Sequence, residues 1–250
     1  MSKVLDGKVA LVTGSGKNIG RAIALRLAQD GAAVIVNGRS DQAALNGVVR
    51  EIEAGGGRAI TAIADVSDAA AVARMTEDAV AQLGGIDILV SNAGLRRQTP
   101  FLDMRLAEWR DILSVALDGA FILAKAVVPH MIRRGGGALV ALSGISTHVG
   151  TPNRCHVSAS KAGLEGLVRA LAIELAPHQI TANCVAPGSV DTVRGAAAGA
   201  RPSTLGDQSI PLQRKASVDD IAGMVRYLAG PEGAYVTGQT IHVNGGLYLT

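Results

Sequence analysis

Short, largely apolar runs recur along the chain, separated by stretches with helical periodicity. Residues 9–12 are continuously apolar and pass through a glycine-rich turn into a periodic segment at 21–28. Comparable runs return at 33–37, 58–64, 86–91, 138–143, 181–186 and 239–243. Runs of this length and apolarity read as strands buried inside a parallel sheet, and the patterns between them as crossover helices. Such alternation, with right-handed connections, predicts an α/β fold: one single-domain, doubly wound parallel sheet of the Rossmann type, flanked by helices on both faces. Glycine triplets at 55–57 and 135–137 return the chain from helix to strand. Ligands of such a sheet sit outside the carboxyl ends of its strands, where Gly14, Asn37, Asp65, Asn92, Ser143 and Pro187 all fall. The weakly periodic segment 191–209, rich in Gly, Ala and Pro and holding Arg194 and Arg201, reads as a substrate lid over that edge.

Composition refines this picture without changing it. With 250 residues and 48% hydrophobic content, a single domain fills its own core. Aromatics are only 2%, so the interior is packed with Ala, Val, Leu and Ile. The net charge of +3 is spread along the chain, without the basic block and interleaved aromatics of a nucleic-acid groove. Cys155 and Cys184 have neither metal spacing nor a disulfide framework, which fits a reducing cytoplasm. No export signal or membrane-length apolar stretch is visible, so a soluble cytoplasmic protein is expected.

The chemistry starts at TGSGKNIG, residues 13–20, between the first strand and the first helix. A glycine turn there lets the backbone approach a pyrophosphate, and the helix presents free N–H groups and a positive dipole end to it. Five further motifs follow in order: Asp65-Val66 after the third strand, SNAG at 91–94, SASKAG at 158–163, NCVAPG at 183–188 and TGQTIHVNGG at 237–246. Through these motifs the chain resembles, over essentially its whole length, the short-chain dehydrogenase/reductase family.

That resemblance implies a nicotinamide dinucleotide. Gly14 and Gly20 then frame the pyrophosphate turn that also holds Gly16, Lys17, Asn18 and Ile19. Asp65 and Val66 border the adenine, Asn92, Ala93 and Gly94 follow the ribose, and Pro187, Gly188, Val190 and Thr192 reach the nicotinamide. Asn18 replaces the family's middle glycine, and asparagine tolerates left-handed backbone better than most residues. The choice of cofactor follows from charge. A site for a free 2′-hydroxyl offers a carboxylate at the end of the second strand, whereas a 2′-phosphate calls for cations. Here Asn37 is followed by Gly38 and Arg39, with Lys17 in the glycine loop, so NADP(H) is expected over NAD(H).

By the same resemblance, catalysis uses a tyrosine, a lysine, a serine and an asparagine. Lys161 matches the lysine, but the position four residues earlier holds Val157, which has no proton to give. Gly144 falls at the serine, with Ser143 one place early, and Ala116 at the asparagine. The tyrosines Tyr227, Tyr235 and Tyr248 all lie far downstream. Replacement groups are therefore sought nearby: His156 and His148 as acid or base, because imidazole titrates near neutrality, and Ser146 as a polarising hydroxyl. Asn153 reads as the cap of the helix that carries His156 in its first turn.

Three readings stay open. One is an NADP(H)-dependent oxidoreductase with a non-standard proton donor, acting on a carbonyl/hydroxyl pair or a conjugated enoyl group. Another is a non-redox enzyme (lyase, isomerase or hydrolase) on the same scaffold. The last is a catalytically silent binding or assembly partner. The resemblance further implies a homotetramer, paired through residues 107–131 and 152–174 and through the C-terminal strand, with a small-molecule substrate and no nucleic-acid or membrane partner.

Overall fold

The computed structural model describes residues 3–193 and 210–250. The strands are β1 (Val9–Val12), β2 (Ala33–Gly38), β3 (Ala59–Ile63), β4 (Ile88–Ser91), β5 (Gly137–Leu142), β6 (Ile180–Pro187) and β7 (Thr240–Val243). They form one sheet in the order β3-β2-β1-β4-β5-β6-β7, and every pairing is parallel. The helices are α1 (Asn18–Gln29), α2 (Gln42–Ala54), α3 (Ala69–Leu83), α4 (Leu106–Leu113), α5 (Gly119–Arg133), α6 (Ser146–Val149), α7 (Cys155–Leu175) and α8 (Val218–Ala229).

Helices cover both faces. On one, Ile23 and Leu27 of α1, Leu45 of α2 and Val225 of α8 pack on Val12, Val34 and Val90. On the other, Met75 of α3, Leu123 and Met131 of α5 and Leu164 of α7 pack on Leu11, Ile35, Leu89 and Leu139. Burying an aliphatic side chain of this kind contributes about 1.5–3 kcal/mol, which is how a core nearly free of aromatics holds. The strand order reverses between β1 and β4, and that switch opens the crevice at their carboxyl ends.

The run expected at 86–91 is observed as the shorter β4, and the residue just before it, Asp87, is a buried carboxyl with several partners. It is 2% exposed. Its carboxylate accepts the Val9 N–H at 2.9 Å and two Arg134 nitrogens at 3.0 Å, with Lys8 Nζ at 3.5 Å. The group thereby pins the starts of β1 and β4 to the end of α5.

Between α4 and α5 the chain makes a π-turn, Ser114–Asp118. The whole segment Leu106–Arg133 is long and apolar enough to cross a membrane by length and composition. In this fold it lies beside the sheet, with α3 against α5 and α7 against α4. Residues 194–209 of the expected lid, including Arg194 and Arg201, lie outside the described residues.

Candidate active site

A dense knot of hydrogen bonds joins the ends of β1 and β4. Thr13 Oγ1 accepts the N–H groups of Asn92 and Ala93, each at 3.0 Å. The Asn92 carboxamide donates back to the carbonyls of Thr13 at 2.8 Å and Gly14 at 3.1 Å. Gly14 adopts φ +61°, and a Cβ there would stand 3.2 Å from Ala93 Cα. A Cβ on Gly20 would run into the Gly14 carbonyl, so α1 approaches the turn this closely only with glycine. The first turn of α1 has no acidic residue, and its N-cap residue Lys17 makes no side-chain cap bond. Its N–H groups and the helix dipole thus suit a phosphate.

Asn18 holds the left-handed conformation its position demands, at φ +51°. Its side chain has a second use: Nδ2 donates to Val193 O at 2.9 Å, and Oδ1 accepts the Val193 N–H at 3.0 Å. The glycine turn is thereby clasped to the segment after β6. In that segment Val190 pairs with Ala216, Asp191 N–H donates to Ala216 O, and Thr192 follows between them and Val193. The backbone of Pro187 and Gly188 is held by Ile145 and Val243.

At the carboxyl end of β2, Asn37 is 1% exposed and turned toward β3, donating to Ala62 O at 3.0 Å and Ala64 O at 3.2 Å. Arg39 and Lys17 are exposed at the mouth of the crevice, and neither donates a hydrogen bond among the described residues. Asp65 accepts from the Ser67 hydroxyl at 2.6 Å and the Ser67 N–H at 3.0 Å. Those bonds, with the charge of Arg39, hold its carboxyl below the usual carboxylate range. Val66 is buried against Gly119.

Lys161, on α7, lies beside the carboxyl ends of β4 and β5. Its Nζ donates to Leu142 O at 2.5 Å, and a Cβ on Gly94 would lie 3.7 Å from it. Burial first, and then the nearby Arg96 cation, push its amine down to about 8. One turn earlier on α7 stands Val157, which is itself buried. A Cβ added to Gly144 would be 3.9 Å from Ser146 Oγ, so that hydroxyl lies near the place a serine side chain at 144 would occupy.

Ser143 turns elsewhere: its Oγ donates to Glu165 Oε1 at 2.5 Å. The same oxygen lies 3.1 Å from His148 Nε2. Around His148, the Tyr248 ring stacks at 5.1 Å and the His242 ring meets it edge-on at 4.6 Å. His156 has no exposed surface, and its Nε2 lies 3.3 Å from Glu108 on α4. The ring expected as an acid beside the nicotinamide is thus packed against α4. The helix starts at Cys155, with Arg154 rather than Asn153 in the capping position. In a regular first turn, a step of about 100° per residue carries His156 away from the face of Lys161. Ala116 lies within the π-turn, 2% exposed.

Gly14, Asn92, Gly94, Lys161 and Ser146 therefore share one edge, with His148 held beside it and His156 on another face. Glu165, Arg96 and the Asn18–Val193 clasp escaped sequence reasoning. Glu165 did leave a signal, a lone carboxylate among the apolar positions Leu164, Val168 and Ala172 of α7. Nothing in the sequence points to Arg96.

Residues 14–248 match the family model described as enoyl-(acyl carrier protein) reductase. The 3-oxoacyl-[acyl-carrier-protein] reductase FabG of Staphylococcus aureus is 40% identical, covering 97% of this chain and 98% of its own. The 3-oxoacyl-[acyl-carrier-protein] reductase of Synechocystis is 38% identical, covering 98% of each chain. A crystal structure of a dehydrogenase/reductase from Sinorhizobium meliloti superposes with a TM-score of 0.91 at 36% identity, over 99% of this chain and 98% of that one.

Proposed function

The chain belongs to the short-chain dehydrogenase/reductase family of oxidoreductases, and on that premise we propose that it is an NADP(H)-dependent reductase of a 3-oxoacyl thioester carbonyl, working without a catalytic tyrosine. The observation that carries the cofactor reading is the pair of exposed cations Lys17 and Arg39, while Asn37, at the end of β2, is no carboxylate and commits its amide N–H groups to β3. The uncapped α1 terminus suits the pyrophosphate, and the Asn92–Thr13 knot and Gly94 suit the adjoining ribose. The bound cofactor supplies the hydride; the protein supplies orientation and charge.

The chain's own residues divide the remaining work. Lys161 donates to the nicotinamide ribose. Ser146, beside Gly144, polarises the substrate carbonyl in place of a serine at 144. Pro187, Gly188, Val190 and Thr192 bound the nicotinamide pocket. Exposed apolar side chains on the flanking helices, Leu106, Phe121 and Ile173, favour assembly into a tetramer of identical chains.

Titration with NADPH and NADH tests the reading, followed by energy transfer from the sole tryptophan, Trp109. NADPH binding well ahead of NADH supports it. Binding of neither contradicts it and turns the search to non-redox chemistry or a silent partner.

A further inference from the structure

Four observations at the reaction end converge. The Lys161 ammonium sits at the carboxyl edge of the sheet, between Gly94 after β4 and Leu142 at the end of β5. The residue one turn before it on α7 is the buried, apolar Val157, which has no proton to give. His156 is enclosed against α4. His148 is held by Glu165 and covered by Tyr248 and His242.

We infer that Lys161 itself delivers the proton to the substrate oxygen, in addition to holding the ribose, and so takes over the work a phenol does elsewhere in the family. This rests on the oxidoreductase reading above. An ammonium carries three N–H bonds, and the Leu142 carbonyl occupies one. In the step, two electrons reach the carbonyl carbon as the hydride of the reduced dinucleotide. The C=O π pair moves onto oxygen, one Lys161 N–H bond breaks, and an O–H bond forms. Lys161 is left as a neutral amine and regains its proton from water.

The surroundings favour this exchange. The charged or titratable neighbours acting on Lys161 are Arg96, from the segment after β4, and Cys184, on β6. Burial keeps Cys184 neutral, its thiol pushed up to about 12. Glu165 lies one turn further along α7, its carboxylate engaged with Ser143 and His148. Among the described residues no ion pair joins a carboxylate to Lys161, and the Leu142 carbonyl engages only one of its three N–H bonds. An amine brought down to about 8 gives up a proton far more readily than an exposed lysine.

The test uses protein labelled with carbon-13 at the lysine ε position, which is legible because the chain has few lysines: Lys3, Lys8, Lys17, Lys125, Lys161 and Lys215. One ε resonance is expected to titrate near 8 and to vanish in Lys161→Arg. A Lys161 resonance titrating near 10.5, the ordinary lysine value, overturns the inference. Arginine keeps the charge but does not release a proton in this range. Lys161→Arg is therefore expected to bind NADPH within a few-fold of wild type while losing about 100-fold or more in reduction rate. Wild-type reduction is expected to fall as pH rises through about 8, because the ammonium is the acid, and the reverse oxidation to rise through the same pH. Reduction retained in Lys161→Arg with an unchanged pH profile overturns the inference alone. NADPH bound by wild type without turnover on any 3-oxoacyl or 2-enoyl thioester overturns the reductase reading with it.

Discussion

A valine four residues before Lys161 changes which atoms at the site hold an exchangeable proton. On the proposed reading, Val157, Gly144 and Ala116 stand where the family resemblance implies a phenol, a hydroxyl and a carboxamide, while Lys161 is held by Leu142 and the glycine turn closes on Asn92 and Ala93. On this account Ser146 supplies the polarising hydroxyl. Ser146→Ala is expected to lower kcat about 100-fold with little change in NADPH affinity, measured by steady-state rates and titration. An unchanged kcat removes Ser146 from the reaction. Arg39→Asp is expected to shift the NADPH-to-NADH affinity ratio toward NADH by about tenfold or more, through loss of a phosphate partner and gain of a ribose acceptor. An unshifted ratio leaves Arg39 as a surface charge.

Elements, rather than single groups, determine whether these side chains meet. The clasp between Asn18 at the start of α1 and Val193 after β6 joins the glycine turn to the segment proposed to bound the nicotinamide. Asn18→Gly preserves the positive φ but removes both bonds, so NADPH affinity is expected to fall several-fold while the melting temperature stays nearly unchanged. A large loss of stability would show that the side chain mainly holds the fold. At the opposite end of the sheet, Asp87→Ala leaves the Val9 N–H and Arg134 without their acceptor, at an expected cost of about 2–4 kcal/mol in denaturant unfolding.

The strands were legible in the sequence because a parallel sheet buried on both faces demands continuous apolar runs, and the glycine turn because close approach demands glycine. Single residues were harder to read. Asp87 sits inside an apolar run and reads as strand until its arginine is seen 47 positions away. His156 and Lys161 are five positions apart on one helix, and only the start of α7 at Cys155 decides which of them faces the crevice. Glu165 gains its meaning from Ser143 and His148, 22 and 17 positions earlier, a juxtaposition no local pattern encodes.

For the whole molecule, the site is a place where function opposes stability. The Lys161 amine is pushed down to about 8 in the folded chain, below the ordinary lysine value, so the unfolded chain binds more protons between those two pH values. The contribution of Lys161 to stability therefore rises with pH across that window, opposed above about 9 by Cys184, whose thiol is pushed up to about 12 in the folded chain, and below the window the buried charge remains a standing penalty. Lys161→Met, which removes the charge and keeps the apolar stem, is expected to flatten that rise in thermal unfolding measured at pH 7 and pH 10. Parallel profiles for wild type and Lys161→Met over the same window would contradict a depressed amine.

The central claim is that this fold reduces a carbonyl with NADPH and without a tyrosine. Its most direct test is the rate of NADPH consumption by the purified protein with a 3-oxoacyl thioester, followed across pH. The account predicts turnover that is faster with NADPH than with NADH and that declines as pH rises past about 8. Tight NADPH binding without turnover at any pH would contradict it.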